Sequence, residues 1–314
     1  MSAGEQSASR VAGLRARWSD LSPNLRGAIW MVAAALGFTV NGAMVKALGE
    51  TGLPTMQLAF ARAIFALLAV LPFLWHAGLG ALATRAPGVH LIRAVAGSVA
   101  MVCGFYALVL LPLADVTALT FTTPLFTILL AVPLLGERVR WRRWTATAIG
   151  FLGVLVMVRP GAGSFELGAL LAIAMALGIA IATVMVKRLP PGESHAAMLF
   201  WFCIASLVLT ALPAALVWQP PSADQWLLLV GIGVLGAASQ ALIIRAFRIG
   251  EASFVAPFDY SKLLLAVLIG FAYFGEVPDL WSLAGAAIIV GSNLYIARRD
   301  AALGQQRPAG ESAT

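Results

Sequence analysis

Charge is scarce in this chain: 11% of its 314 residues are Asp, Glu, Lys or Arg, about half the share of a soluble globular domain. The side chains that most enzyme chemistry needs are scarce too. His76, His90 and His195 are the only histidines; all fall at span ends or loops, and no two have the spacing of metal ligands. Cys103 and Cys203 are the only cysteines. With no CxxC pair they read as small apolar packing residues. No glycine-rich phosphate loop follows a strand, because the pattern holds no strands. These gaps argue against a zinc centre, against ATP-driven pumping by this chain alone and against any bound cofactor. An intramembrane enzyme would need a paired nucleophile and base within the apolar segments, and none is visible.

Apolar sequence is abundant instead, at 61% hydrophobic residues and a mean hydropathy of +0.90. A membrane crossing needs roughly 20 mostly apolar residues. Ten such stretches fit, at 27–47, 56–75, 89–111, 114–135, 141–158, 165–187, 195–217, 226–247, 253–274 and 280–297. The expected fold class is an all-α membrane protein of ten transmembrane helices, so one partner is the lipid bilayer. The 30 glycines scatter through these runs, where small residues let helices approach closely.

Basic residues supply an orientation, since Lys and Arg concentrate in cytoplasmic loops. With a cytoplasmic N-terminus, 17 of the 21 basic residues fall in cytoplasmic connections and tails. Lys46 and Arg159 alone lie outside, and Arg62 and Lys262 lie within spans. Both termini are therefore expected in the cytoplasm of an inner or plasma membrane protein. The pI near 10.1 reports this topology and not nucleic-acid binding. Trp75, Trp141, Trp144, Trp218, Trp226 and Trp281 stand at or near span ends, where amphipathic rings anchor helices. Val11, Leu14, Trp18 and Leu21 share one helical face, compatible with a short helix on the membrane surface or with a solvated tail.

The chain also repeats itself. Ala35, Leu36, Gly37 and Met44, Val45, Lys46 recur as Ala176, Leu177, Gly178 and Met185, Val186, Lys187, a spacing of 141. Gly136 and Glu137 recur as Gly275 and Glu276 at 139. Five spans per copy is an odd number, so the second copy lies upside down relative to the first, the inverted-repeat plan of secondary transporters. The resulting divisions are an N-terminal cytoplasmic segment 1–25, a first repeat 26–160, a second repeat 161–299 and a disordered cytoplasmic tail 300–314.

Leu111, Pro112, Leu113 and Ala114, through Pro124 to Leu135, Gly136 and Glu137, then Gly150, Gly153 and Arg159, Pro160, Gly161, resemble one EamA-type repeat. Pro257, Phe258, Asp259 and Tyr260 with Phe274, Gly275, Glu276, Val277 and Pro278 resemble its partner. The chain is thus similar, over about residues 26–297, to the ten-helix EamA branch of the drug/metabolite transporter superfamily. That resemblance implies alternating-access transport of a small metabolite such as an amino acid, a vitamin or a nucleoside-like compound. The form of the ninth span resembles subgroups that include riboflavin and S-adenosylmethionine carriers.

Polar groups inside spans point to the site, because a charge at the bilayer centre costs about 2.5–3.5 kcal/mol on insertion scales and normally faces a cavity or a partner. Arg62 in the second span and Asp259 with Lys262 in the ninth qualify. Asp259 and Lys262 are three apart on one helical face, so a static ion pair and a substrate contact both stay open. Gln240 falls at similar depth to Asp259. Asn41 and the threonines Thr120, Thr122 and Thr123 belong to the other repeat, and each threonine is expected to bond its own helix backbone. Tyr106 and Tyr260 offer rings for stacking. Glu137 and Glu276 read as helix-end contacts, and Pro72, Pro124, Pro213 and Pro257 as kink sites. The expected partner at the site is a small-molecule substrate. Proton coupling, substrate exchange and the oligomeric state stay open. A membrane scaffold or lipid-binding protein is the other class considered, and the mid-depth charges count against it.

Overall fold

A computed structural model describes residues 21–82, 84–136, 141–158, 167–190 and 193–305. The surface helix considered for the N-terminal segment lies almost wholly outside these. The first repeat contains α1 (Pro23–Glu50), α2 (Thr55–Ala77), α3 (Pro87–Leu110), α4 (Leu113–Thr120), α5 (Thr123–Leu135) and α6 (Trp141–Val158). The second contains α7 (Leu167–Lys187), α8 (His195–Leu216), α9 (Ala223–Ile249), α10 (Ala252–Val255), α11 (Ser261–Phe274) and α12 (Leu280–Gln305). No strand occurs among the described residues. Eight of the crossings are long apolar helical segments, α4 with α5 and the last turn before α11 with α11 each counting as one. The two others, 144–158 and 280–295, are shorter apolar stretches of α6 and α12.

Local sequence starts these helices where the backbone needs partners. Ser22 accepts from the Leu25 amide and Ser194 from the Ala197 amide. Ser222 and Gln225 form a reciprocal capping box at the start of α9, which satisfies two of the amides that a helix start leaves open. At the far end of the chain the expected coil from 300 is helical to Gln305. Ala301, Ala302 and Leu303 are strong helix formers that extend the last turn of the span.

The two repeats pack as a pseudo-twofold pair. α1 lies against α9 as α3 lies against α7, while α2 meets α8 and α6 meets α12 across the axis. Glycine makes both seams close. A Cβ on Gly37 would fall against the Ser239 hydroxyl, and one on Gly178, its counterpart, would stand 2.8 Å from the Ala100 Cβ and 2.9 Å from the Ala96 carbonyl. On the axis, a Cβ on Gly153 would stand 2.9 Å from the Gly285 carbonyl. Lipid is as apolar as leucine, so association inside a bilayer depends on such close fit more than on hydrophobic burial. Outward-facing Leu91, Val208, Leu212, Leu264 and Phe271 are all more than half exposed. A belt of that kind is the surface that a bilayer covers.

Two crossings are broken, and at equivalent positions. α4 ends at Thr120 and α5 begins at Thr123; in the second repeat a 3₁₀ turn at Ala256–Tyr260 separates α10 from α11. Pro124 and Pro257 sit at these breaks, whereas Pro72 and Pro213 lie inside continuous helices. After each broken crossing the chain leaves α5 or α11 through a left-handed glycine, Gly136 at φ +66 and Gly275 at φ +65. A side chain there would be strained, which is why Gly precedes Glu in both copies.

Candidate functional site

The breaks bring unlike residues together. Phe121 and Tyr260 are counterparts at the 139-residue spacing, and their rings meet with centroids 4.8 Å apart. Interrupting a helix frees backbone groups that need partners. The freed Phe121 carbonyl accepts from Asn293 Nδ2 of α12 at 2.6 Å, fully enclosed. Beside this junction Lys262 Nζ and Asp259 Oδ1 pair at 2.5 Å, with side chains 22% and 33% exposed. The ammonium also lies 5.1 Å from the centre of the Phe38 ring in α1. The pair therefore exists and is only partly buried. In the first repeat the matching positions hold Thr120 and Thr123, whose hydroxyls donate to the carbonyls of Val116 and Thr120. Thr122 bonds its own helix as well.

Arg62 has a different setting. Its Nη1 donates to the Met101 thioether at 2.7 Å, and its guanidinium carbon lies 5.9 Å from the ring centres of both Phe105 and Phe202. Gly236 of α9 leaves the room: a Cβ there would come within 3.3 Å of Nε and Nη2. Nε is buried with no hydrogen-bond partner. Among the described residues no carboxylate pairs with Arg62. Cys203, the counterpart of Arg62 at the 141-residue spacing, lies beside it. A cation withdrawn from water normally has an anionic partner, because its desolvation otherwise costs several kcal/mol. Aromatic faces lower that cost by cation–π attraction and the thioether accepts one hydrogen bond, but neither supplies a negative charge.

The remaining candidates divide. Asn41 donates from Nδ2 to the Ile232 carbonyl at 2.6 Å and is 5% exposed, so it joins α1 to α9. Tyr106 and Gln240 are half-buried on α3 and α9. Arg62 and the Asp259–Lys262 pair touch different neighbours, so the structure holds two charged spots and not a single cluster. An apolar groove between α4, α6, α11 and α12, lined by Ala118, Met157, Leu263, Val267, Ala286 and Val290, touches neither.

One ion pair was not legible from composition. Lys46, expected as a loop cation, and Glu276, expected as a helix-end contact, pair at 2.6 Å with side chains 8% and 14% exposed. Lys46 also donates to the Leu111 carbonyl at 2.8 Å, and Glu276 Oε2 accepts from the Leu113 amide at 2.8 Å. Pro112 causes this: it ends α3 and starts α4, leaving the flanking carbonyl and amide aimed at the pair. The signal was present in the repeat, since both residues belong to the duplicated motifs. At the other end of the bundle His90, expected at a span end, is 1% exposed. Glu193 accepts there from Thr84 Oγ1 at 2.8 Å and the Arg85 amide at 3.2 Å and contacts His90 Nε2 at 3.1 Å. The Thr84 hydrogen bond, then that of His90 and the Arg85 amide, hold its carboxyl below the usual carboxylate range against the opposing effect of burial.

Two inverted repeats, paired helix breaks and charges at the junction define a secondary-transporter architecture. The profile of the EamA-like transporter family matches residues 25–159 and 166–298, and the chain belongs to that family. It is an integral membrane transporter of small metabolites, not an enzyme. An S-adenosylmethionine uptake transporter of Rickettsia prowazekii is 32% identical, covering 88% of this chain and 94% of the relative. A riboflavin transporter of Vibrio cholerae is 37% identical over 87% and 93%. A pseudopaline exporter of Pseudomonas aeruginosa is 31% identical over 87% and 96%. A solved crystal structure 21% identical, with a TM-score of 0.57, covers 88% of this chain and 98% of its own and shares the fold.

Proposed function

We propose that this transporter carries a small metabolite with at least one anionic group, zwitterionic or ring-bearing, which places its anion on Arg62. The observation that carries the reading is the Arg62 guanidinium, buried at Nε and, among the described residues, held by a thioether and two aromatic rings with no carboxylate. Asp259 and Lys262 cancel each other at 2.5 Å, so Arg62 supplies the excess positive charge. The phenylalanines beside it, with Tyr106 and Tyr260, offer faces for a flat ring. The relatives named above move chemically different cargo, and S-adenosylmethionine combines a carboxylate with a purine. Charge and ring are the recognition features proposed, with Asp259, Lys262, Gln240, Tyr260 and Tyr106 as contacts at a second spot along the path and Asn41 holding α1 to α9.

Competition for uptake in proteoliposomes tests this. Carboxylates are expected to displace the transported compound better than organic dications of similar size, and the preference is expected to weaken in Arg62→Gln. Better displacement by dications overturns the assignment. Running the panel with and without an imposed pH gradient separates proton coupling from exchange. The orientation proposed places both termini in the cytoplasm. Arg140→Cys is then labelled only after the cells are opened, and Asp224→Cys in intact cells; the opposite pattern overturns it.

A further inference from the structure

We infer that Lys46 and Glu276 form the latch that closes the transport path at the outer face. The outer pair is built to be exclusive. Lys46 belongs to α1 of the first repeat and Glu276 follows α11 of the second, so the bond ties the two inverted units together. Both charges are also held by the Pro112 elbow, through the Leu111 carbonyl and the Leu113 amide. The Phe274 ring covers the ammonium at 5.6 Å. Gly275 aims the carboxylate inward, and its counterpart Gly136 has the same left-handed backbone. Lys187, the counterpart of Lys46 at the 141-residue spacing, is exposed, whereas Lys46 is 7% exposed.

A buried ion pair suits a switch. Closing it withdraws two ions from water, and that cost roughly cancels their attraction; opening returns both to water. The bond therefore selects a geometry without locking it. Removing one partner strands the other in the closed form, which favours the open one. Lys46 and Glu276 act as positioning residues for transport and do not touch the cargo.

The proposal rests on the orientation above, which the Arg140 and Asp224 labelling tests separately. Thr117, half-buried one turn into α4, serves as reporter in a chain carrying Thr117→Cys with Cys103→Ala and Cys203→Ala. Its labelling by an impermeant maleimide is measured in intact cells without substrate. Lys46→Met or Glu276→Gln is expected to label about tenfold faster than the parent, a shift that one stranded charge supplies. The double variant, which strands no charge, is expected to return toward the parent rate. Lower yield with an unchanged labelling rate in the Lys46 and Glu276 variants overturns the outer latch.

Discussion

At the break of the second repeat Asp259 and Lys262 occupy the positions that Thr120 and Thr123 hold in the first. Arg62 in turn stands in the first repeat where the second has Cys203. The backbones of the halves match at the broken crossing, at the left-handed glycine after it and at the glycine seams. The midplane charges do not match; each occurs once. The threonines close onto their own helices, whereas the charged residues face neighbours on other helices. Duplication thus gives the halves one backbone plan, and under the proposed function the charges that differ between them near the axis would suit a molecule that is itself asymmetric.

The sharpest way to break this comparison is to move the charge across the axis. Arg62→Gln is expected to weaken apparent affinity about a hundredfold, the scale of one lost charge-assisted hydrogen-bonded contact. Folded yield should hold or rise, since a buried cation is removed. Adding Cys203→Arg to Arg62→Cys returns a guanidinium to the same space from the other repeat and should recover part of the uptake. No recovery would show that the axis does not relate the two positions functionally.

Next in size is the charged break. Lys262→Ala leaves the partly buried Asp259 carboxylate without its partner, which favours local rearrangement. Initial uptake is expected to fall about tenfold, the order of one ion-pair hydrogen bond, with a smaller loss of folded protein. If Asp259→Asn with Lys262→Met restores both, the pair is structural and the site lies at Arg62 alone.

The seams sharpen the comparison from the stability side. Gly178→Ala presses a methyl onto the Ala96 carbonyl and Ala100 Cβ, which cannot turn away, and should lose about 1–3 kcal/mol by overpacking. Gly37→Ala meets a serine hydroxyl that can rotate. Thermal unfolding in detergent should rank it the milder of the two, and Ser239→Gly should relieve it.

The smallest effect belongs to Glu193. Its carboxyl titrates below the usual range, so the contribution of its tether is present above that range and is lost as pH falls through the lowered value. Glu193→Gln should therefore melt slightly below the parent near neutral pH, and the gap should narrow on acidification. A gap that widens toward acid would mean the carboxyl is not held low.

What the sequence by itself determined is whatever depends on local composition and on its repetition. Apolar length set the crossings, because backbone groups in lipid must be satisfied within a helix. The odd number of crossings in each copy set the inversion. The three-residue spacing placed Asp259 within reach of Lys262, and the threonine hydroxyls found their own carbonyls, both contacts of a single segment. Tertiary structure decided the rest, because the remaining contacts join residues far apart in the chain. Pro124 and Pro257 break helices while Pro72 and Pro213 do not. A proline costs a backbone bond anywhere, and at the first of these breaks Asn293 of α12 satisfies the freed Phe121 carbonyl. Lys46 meets Glu276 beside the Pro112 elbow, whose Leu111 carbonyl and Leu113 amide bond the two charges. The surroundings of Arg62, supplied by α3, α8 and α9, come from three separate stretches, and no local pattern announces that a thioether, two rings and a missing side chain would converge on one cation.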